Sequence, residues 1–197
     1  MAMALGAEVK KPYRFHLPGP NKIANTNEDY IIINNTCSEL ARVRLYPDDL
    51  LVKLCHAIAV TYHCPIVLTG TEADHDYYER ILSHELLRGL KIENRSGKQS
   101  IEQFLMSMND NCRLLVTVDS APLHYAWRLG IPTVSLWGPT NPSTRMQESP
   151  HFKSVYLAVP CSPCTHHTTV LPCGGDNFCM KNMSVEMILK KVEEVLR

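Results

Sequence analysis

The sequence predicts an α/β domain, a parallel sheet with helices on its faces. Three observations carry that prediction. Short apolar runs alternate with longer segments of helical period along most of the chain. The run Leu114 to Val118 is rich in β-branched and aliphatic residues with no polar alternation, the pattern of a strand buried on both faces of a parallel sheet. That run stops at Asp119, passes two small residues and gives way to a helix-forming segment, while a second run, Thr133 to Leu136, leads into Gly138-Pro139-Thr140 at the same edge of the sheet.

The elements follow in order. Residues 1–28 are rich in Pro, Gly and Lys without a clear period and read as an N-terminal arm or interdomain linker; residues 29–197 form the domain. Tyr30 to Asn34 is a strand, Pro47 to Tyr62 an amphipathic helix, and Pro65 to Thr69 a strand ending at Gly70. Glu72 to Leu87 reads as one helix and Leu90 to Glu93 as a short strand. Ser100 and Gln103 have the spacing of a capping box that opens a helix running to about Met108. The Leu114 strand, a helix over Ala121 to Leu129, the Thr133 strand and a last strand over Lys153 to Ala158 come next. Ser184 caps a closing helix in which Ile188, Val192 and Val195 make one apolar stripe. No internal repeat is present, and the sum is a Rossmann-like sheet with right-handed crossovers.

Composition narrows the class. With 197 residues, 45% hydrophobic and 20% charged, the chain is long enough for a core and is not a disordered type. Lys plus Arg and Asp plus Glu both number 20, so no nucleic-acid footprint exists. No apolar stretch reaches the roughly 18 to 20 residues of a membrane span, and the first residues lack the layout of a signal peptide. The expected location is cytoplasmic, with at most a peripheral association with the inner membrane.

The Asp119-Ser120-Ala121-Pro122-Leu123-His124 segment has the wiring of an anion site. Asp119 or Ser120 can cap the following helix, and the small side chains of Ser120 and Ala121 admit a ligand to the backbone. Amides of a helix's first turn, at the positive end of its dipole, cradle a diphosphate, and His124 in that turn can donate to a phosphate oxygen. The Gly138-Pro139-Thr140 loop converges on the same crevice, where ligands of open α/β sheets sit.

Those residues carry a resemblance. Asp119-Ser120-Ala121-Pro122-x-His124 followed by Gly138-Pro139-Thr140-x-Pro142 resembles the donor-binding motif of family 9 glycosyltransferases, the heptosyltransferase-like enzymes of lipopolysaccharide assembly. The resemblance extends over nearly the whole chain from Tyr30 onward and includes the cysteine-rich loop. It implies the C-terminal, donor-binding half of a two-domain GT-B fold, with the N-terminal Rossmann-like half absent from this sequence. It also implies that Asp119, Ser120, Ala121, Pro122, Leu123 and His124 hold the diphosphate of a nucleotide-sugar, with Gly138 and Thr140 lining the cleft. The loop after the first strand, Asn34-Asn35-Thr36-Cys37-Ser38-Glu39, contributes Thr36 and Ser38, and Arg44 fills the slot where relatives place a lysine that neutralises donor phosphate; its planar fork differs from a point charge. Glu72 and Asp74 stand where an acidic residue of relatives binds ribose hydroxyls. The donor is then ADP-heptose-like, the acceptor a glycan or lipopolysaccharide core, no catalytic metal is required, and the general base belongs to the absent half. His124 and Arg44 would carry the electrostatic work of the reaction.

Cys161, Cys164, Cys173 and Cys179 cluster in a Pro/Gly/His-rich loop. Short thiolate spacing in a reducing compartment suits a structural zinc, and free thiols or a disulfide are the alternatives. Other chemistries lack their signatures. No Gly-x-Gly-x-x-Gly follows the first strand, Gly97-Lys98 lacks the remainder of a P-loop, and no Gly-x-Ser-x-Gly elbow exists. The rival to a glycosyltransferase is a non-catalytic nucleotide-binding or interaction module on the same half fold.

Overall fold

The computed structural model describes residues 28–165, 168 and 170–197. The expected arm over 1–28 therefore lies, apart from Glu28, outside the described residues. Six strands form one sheet: β1 (Tyr30–Asn34), β2 (Ile66–Leu68), β3 (Ile92–Asn94), β4 (Cys112–Val118), β5 (Thr133–Trp137) and β6 (Phe152–Tyr156). Six helices flank them: α1 (Asp48–Tyr62), α2 (His75–Leu82), α3 (Ile101–Asn111), α4 (Ala121–Leu129), α5 (Phe178–Lys181) and α6 (Val185–Leu196).

The strand order is β3-β2-β1-β4-β5-β6, and every neighbouring pair is parallel. The order reverses between β1 and β4, so the chain leaves these two adjacent strands in opposite directions and opens a crevice beyond their carboxyl ends. The physical basis is the two-sided burial of the strands. Ile31, Ile33, Leu114, Val116 and Val118 pack with α1, α2 and α6, whereas Tyr30, Ile32 and Leu115 pack with Met108 of α3 and Ala126 of α4. Alternate residues thus face opposite layers, and the strands read as unbroken apolar runs.

Local signals set most boundaries. Ser100 accepts from the Gln103 amide while the Gln103 side chain accepts from the Ser100 amide, so the capping box that the spacing predicts is formed. Gly130 ends α4 at φ 75°, a left-handed geometry that costs glycine nothing. Ser184 accepts from the Met187 amide, and Ile188, Val192 and Val195 are buried.

Three expectations need correction. The helix expected over Glu72 to Leu87 is three pieces: a 3₁₀ turn at Glu72–Asp74, α2, and a 3₁₀ turn at Glu85–Leu87. His84 takes an extended ψ of 133° and its Nδ1 accepts from the Leu86 amide, a bend that delivers Leu87 to the core. β3 lies later than Leu90 to Glu93, since Ile92, Glu93 and Asn94 are the residues in register with β2. The cysteine-rich segment also contains α5, whose four residues are too few to display a period.

Candidate functional site

The six loops that leave the strands lie along one edge of the sheet. Each contains a buried side-chain polar atom with no hydrogen-bond partner among the described residues: Arg44 Nε after β1, Thr69 Oγ1 after β2, Ser96 Oγ after β3, Asp119 Oδ2 after β4, Thr140 Oγ1 after β5 and Thr165 Oγ1 after β6. Buried polar groups are otherwise almost always bonded, so their concentration on one edge marks where a polar ligand would complete them.

The turn from β4 to α4 forms the centre. Asp119 is 2% exposed and Ser120 occupies the cap position, yet neither side chain caps the helix as the sequence suggests. Ser120 Oγ donates instead to Asn34 Oδ1 at 2.8 Å, and Thr117 Oγ1 donates to the same oxygen at 3.2 Å. Pro122 has no amide hydrogen and the Leu123 amide donates to Ser120 O at 3.2 Å. Of the first turn, the Ala121 amide is therefore the donor left for a ligand. His124 is exposed one step further along this turn.

The loop after β1 brings Arg44 to that turn. Its Nη1 lies 3.2 Å from the Asp119 carbonyl oxygen and 3.6 Å from Oδ2, with Arg44 and Asp119 side chains 16% and 3% exposed. The chain just beyond Arg44 is held by Asn35, which accepts from Tyr46 N and donates to Tyr46 O, both at 2.8 Å. Asn177 adds a bond to Leu45 O at 2.9 Å. Thr36 is half-buried and accepts from Asn34 Nδ2 at 3.0 Å, whereas Ser38 is exposed beyond the cradle. Burial raises the Cys37 thiol above its ordinary value, and the nearby Arg44 guanidinium opposes that shift.

On the next strand, Gly138 and Thr140 are buried. A Cβ on Gly138 would meet Met180 Sδ at 2.6 Å and Cys179 Sγ at 2.7 Å, so α5 seats directly on this loop. The cysteine loop grips it from the other side: Ser162 Oγ donates to Gly138 O, and the Cys164 and Thr165 amides donate to Pro139 O at 3.0 and 2.9 Å. Cys161, Cys164, Cys173 and Cys179 are all free thiols. Among the described residues no group of three or more His, Cys, Asp or Glu side chains is placed to hold a metal ion, so the expected zinc tetrad is not assembled there. Burial pushes the Cys179 thiol up to about 11, with the neighbouring Cys164 adding to the shift. Backbone amides of Asn177 and Gly175 lower Cys173.

Glu72 and Asp74 divide. Asp74 Oδ2 accepts from the Thr71 amide at 2.7 Å and from Thr71 Oγ1 at 2.8 Å, so its carboxylate closes the start of the 3₁₀ turn. Glu72 is exposed, with Gly97 against its backbone. The sequence places Asn34 and Asn35 in the contributing loop but assigns neither a role. Their signal was two amide side chains directly after an apolar strand, a place where period-2 alternation sends one to each side.

With this geometry in view, the chain can be set beside known proteins. The family described as "Glycosyltransferase family 9 (heptosyltransferase)" matches residues 7–174. Lipooligosaccharide heptosyltransferase 2 of Campylobacter jejuni matches in two strains, with 24% identity over 136 residues and 28% over 134. Each alignment covers 68% of this chain and 41% of the relative. Among solved structures, E. coli ADP-heptose lps heptosyltransferase II superposes with a TM-score of 0.68 at 21% identity, over 89% of this chain and 49% of that one. E. coli heptosyltransferase WaaC with ADP-2-deoxy-2-fluoro heptose gives 0.61 at 14% identity, over 98% and 52%. The chain thus spans about two fifths of the length of the curated relatives it matches.

Proposed function

The chain belongs to glycosyltransferase family 9, the heptosyltransferase family, and from that premise we propose that residues 29–197 are the donor-binding half of a GT-B glycosyltransferase. Its substrate is a nucleotide-diphospho-sugar of the ADP-heptose kind, and its acceptor a lipopolysaccharide-type glycan bound by an N-terminal Rossmann-like half. The edge of unpartnered buried polar atoms, centred on the uncapped start of α4, carries this reading. Likeness to E. coli ADP-heptose lps heptosyltransferase II and to E. coli heptosyltransferase WaaC with ADP-2-deoxy-2-fluoro heptose supports the donor class.

In this reading the donor diphosphate sits against the Ala121 amide and the positive end of α4, with His124 donating to a phosphate oxygen. Arg44 lies beside it, fixed by Asp119. As the sugar–phosphate bond breaks, negative charge grows on the leaving diphosphate, and fixed donors aimed at it stabilise the transition state without reorganising. The acceptor hydroxyl loses its proton to a base of the other half. Thr36, Thr140 and Gly138 shape the cleft; Glu72, with its carboxylate exposed, suits ribose contact better than Asp74, which Thr71 occupies. In this reading the protein works in the cytoplasm, at or near the inner membrane surface. No helix among the described residues is long and apolar enough to cross a membrane.

The test is calorimetry with ADP, followed by a product assay. The chain should bind ADP, and His124→Ala should weaken binding by about 1 to 3 kcal/mol through loss of a charge-assisted bond. Sugar transfer should appear when a family N-terminal half is fused ahead of residue 29. Unchanged ADP affinity in the variant overturns the His124 role, and ADP binding without transfer in the fusion favours a non-catalytic nucleotide-binding module.

A further inference from the structure

We propose that Asn34 and Asn35 are positioning residues for the two arms of the donor crevice, one arm each. This rests on the donor-site reading above. Both side chains are 2% exposed, and they leave the end of β1 toward opposite sides, as consecutive residues of a strand do.

Asn34 serves the α4 arm. Its Oδ1 accepts from Ser120 Oγ at 2.8 Å and Thr117 Oγ1 at 3.2 Å, and its Nδ2 donates to Thr69 O at 2.7 Å and Thr36 Oγ1 at 3.0 Å. One carboxamide with four partners therefore ties the exits of β1, β2 and β4 together. The consequence for binding lies in Ser120. A serine at a helix cap position normally turns its hydroxyl onto the first-turn amides. Here Asn34 draws that hydroxyl backward, and no side chain caps the helix start. An anion can then reach the Ala121 amide, the first-turn donor left open.

Asn35 serves the Arg44 arm. Its carboxamide pairs with both backbone groups of Tyr46 at 2.8 Å, and Nδ2 also donates to Tyr77 Oη at 2.8 Å. Its own amide donates to Tyr78 Oη at 2.7 Å. Tyr46 is two residues from Arg44, so this clamp fixes where the guanidinium emerges. An amide side chain is suited to the task because it matches a peptide group donor for acceptor.

Two double-mutant cycles on the 197-residue chain test the assignment, with ADP as the calorimetric probe. Asn34→Ala should lower ADP affinity about tenfold, and adding Ser120→Ala should recover most of that loss, because no hydroxyl remains to occupy the helix start. Asn35→Ala should also lower affinity about tenfold, and should cost nothing further in an Arg44→Ala background. Independent losses that add in both cycles, or lower melting temperatures with unchanged ADP affinity, would mean that the asparagines only support the fold. Hydrogen exchange supplies a readout that needs no ligand. Asn34→Ala should raise exchange at Leu123 and His124 and not at Arg44 to Tyr46, and Asn35→Ala the reverse. Should an alanine variant not fold, Asn34→Ser and Asn35→Ser carry the same comparison with a polar side chain too short to bridge. If the wild-type chain does not bind ADP, the donor reading fails, while exchange that rises in both arms of either variant overturns the division of labour by itself.

Discussion

At the scale of single residues, the ion pair at the crevice is the most consequential feature. Arg44 is the cation that faces the buried Asp119 carboxylate, at 3.6 Å. Removing the guanidinium leaves an uncompensated charge in a site 2% exposed, and such losses cost about 3 kcal/mol or more. Arg44→Ala should therefore lower both stability and ADP affinity, whereas Arg44→Ala with Asp119→Asn should regain stability but not affinity. Paired urea melts and titrations separate the two effects; stability unchanged in Arg44→Ala would show that water already compensates Asp119. Much of this site was legible in the sequence, because Asp119, His124 and Thr140 lie in contiguous motifs whose residue types state their chemistry. Asn34 and Asn35 were not, because an asparagine's role depends on its partners, and Ser120 lies 86 residues from Asn34 along the chain.

Among elements, the seat of α5 against Gly138 stands out. Strand periodicity identified β5, and nothing in the sequence showed that its exit loop would be pressed between a four-residue helix and the cysteine loop. The contact leaves no room for a methyl group, since Met180 and Cys179 sulfurs sit at 2.6 and 2.7 Å from where it would be. Gly138→Ala should cost about 1 to 3 kcal/mol by overpacking. Because α5 and the cysteine loop hold the same loop as Thr140, its ADP affinity should fall as well. A circular-dichroism melt that matches wild type would show that α5 can move aside freely. The same lesson holds for α2. Helical period extends through Leu87 in the sequence, but the chain bends at His84 so that Leu87 reaches α1 and the sheet rather than solvent.

For the molecule as a whole, the pattern of buried thiols predicts its response to pH. Burial pushes Cys55 and Cys112 up to about 12, and Cys179 to about 11, from an ordinary value of 9.0. The folded state thus keeps protons that the unfolded chain releases. Stability from these groups is fully present below about pH 9 and is lost as pH rises through the folded values, at up to about 1.4 kcal/mol per pH unit for a fully buried thiol such as Cys55. Urea midpoints should be flat near neutrality and fall between pH 9 and 12, and Cys55→Ala should flatten that fall. A midpoint constant to pH 11 in the wild type would place these thiols in contact with solvent.

The sequence by itself determined the class of fold, the six described strands to within two residues at either end, the helix caps at Ser100 and Ser184, and the motif that identifies the family. These depend on local periodicity and on side chains that act on their own backbone, so neighbours in the chain suffice. Only the tertiary structure decided the strand order β3-β2-β1-β4-β5-β6, the bond that takes Ser120 away from capping α4, the pairing of Arg44 with Asp119, and the separation of Glu72 from Asp74. Each of these joins residues that meet because the sheet gathers six loops at one edge. Which polar groups find partners there, and which stay unpartnered for a ligand, is fixed by distances across strands that no local pattern records.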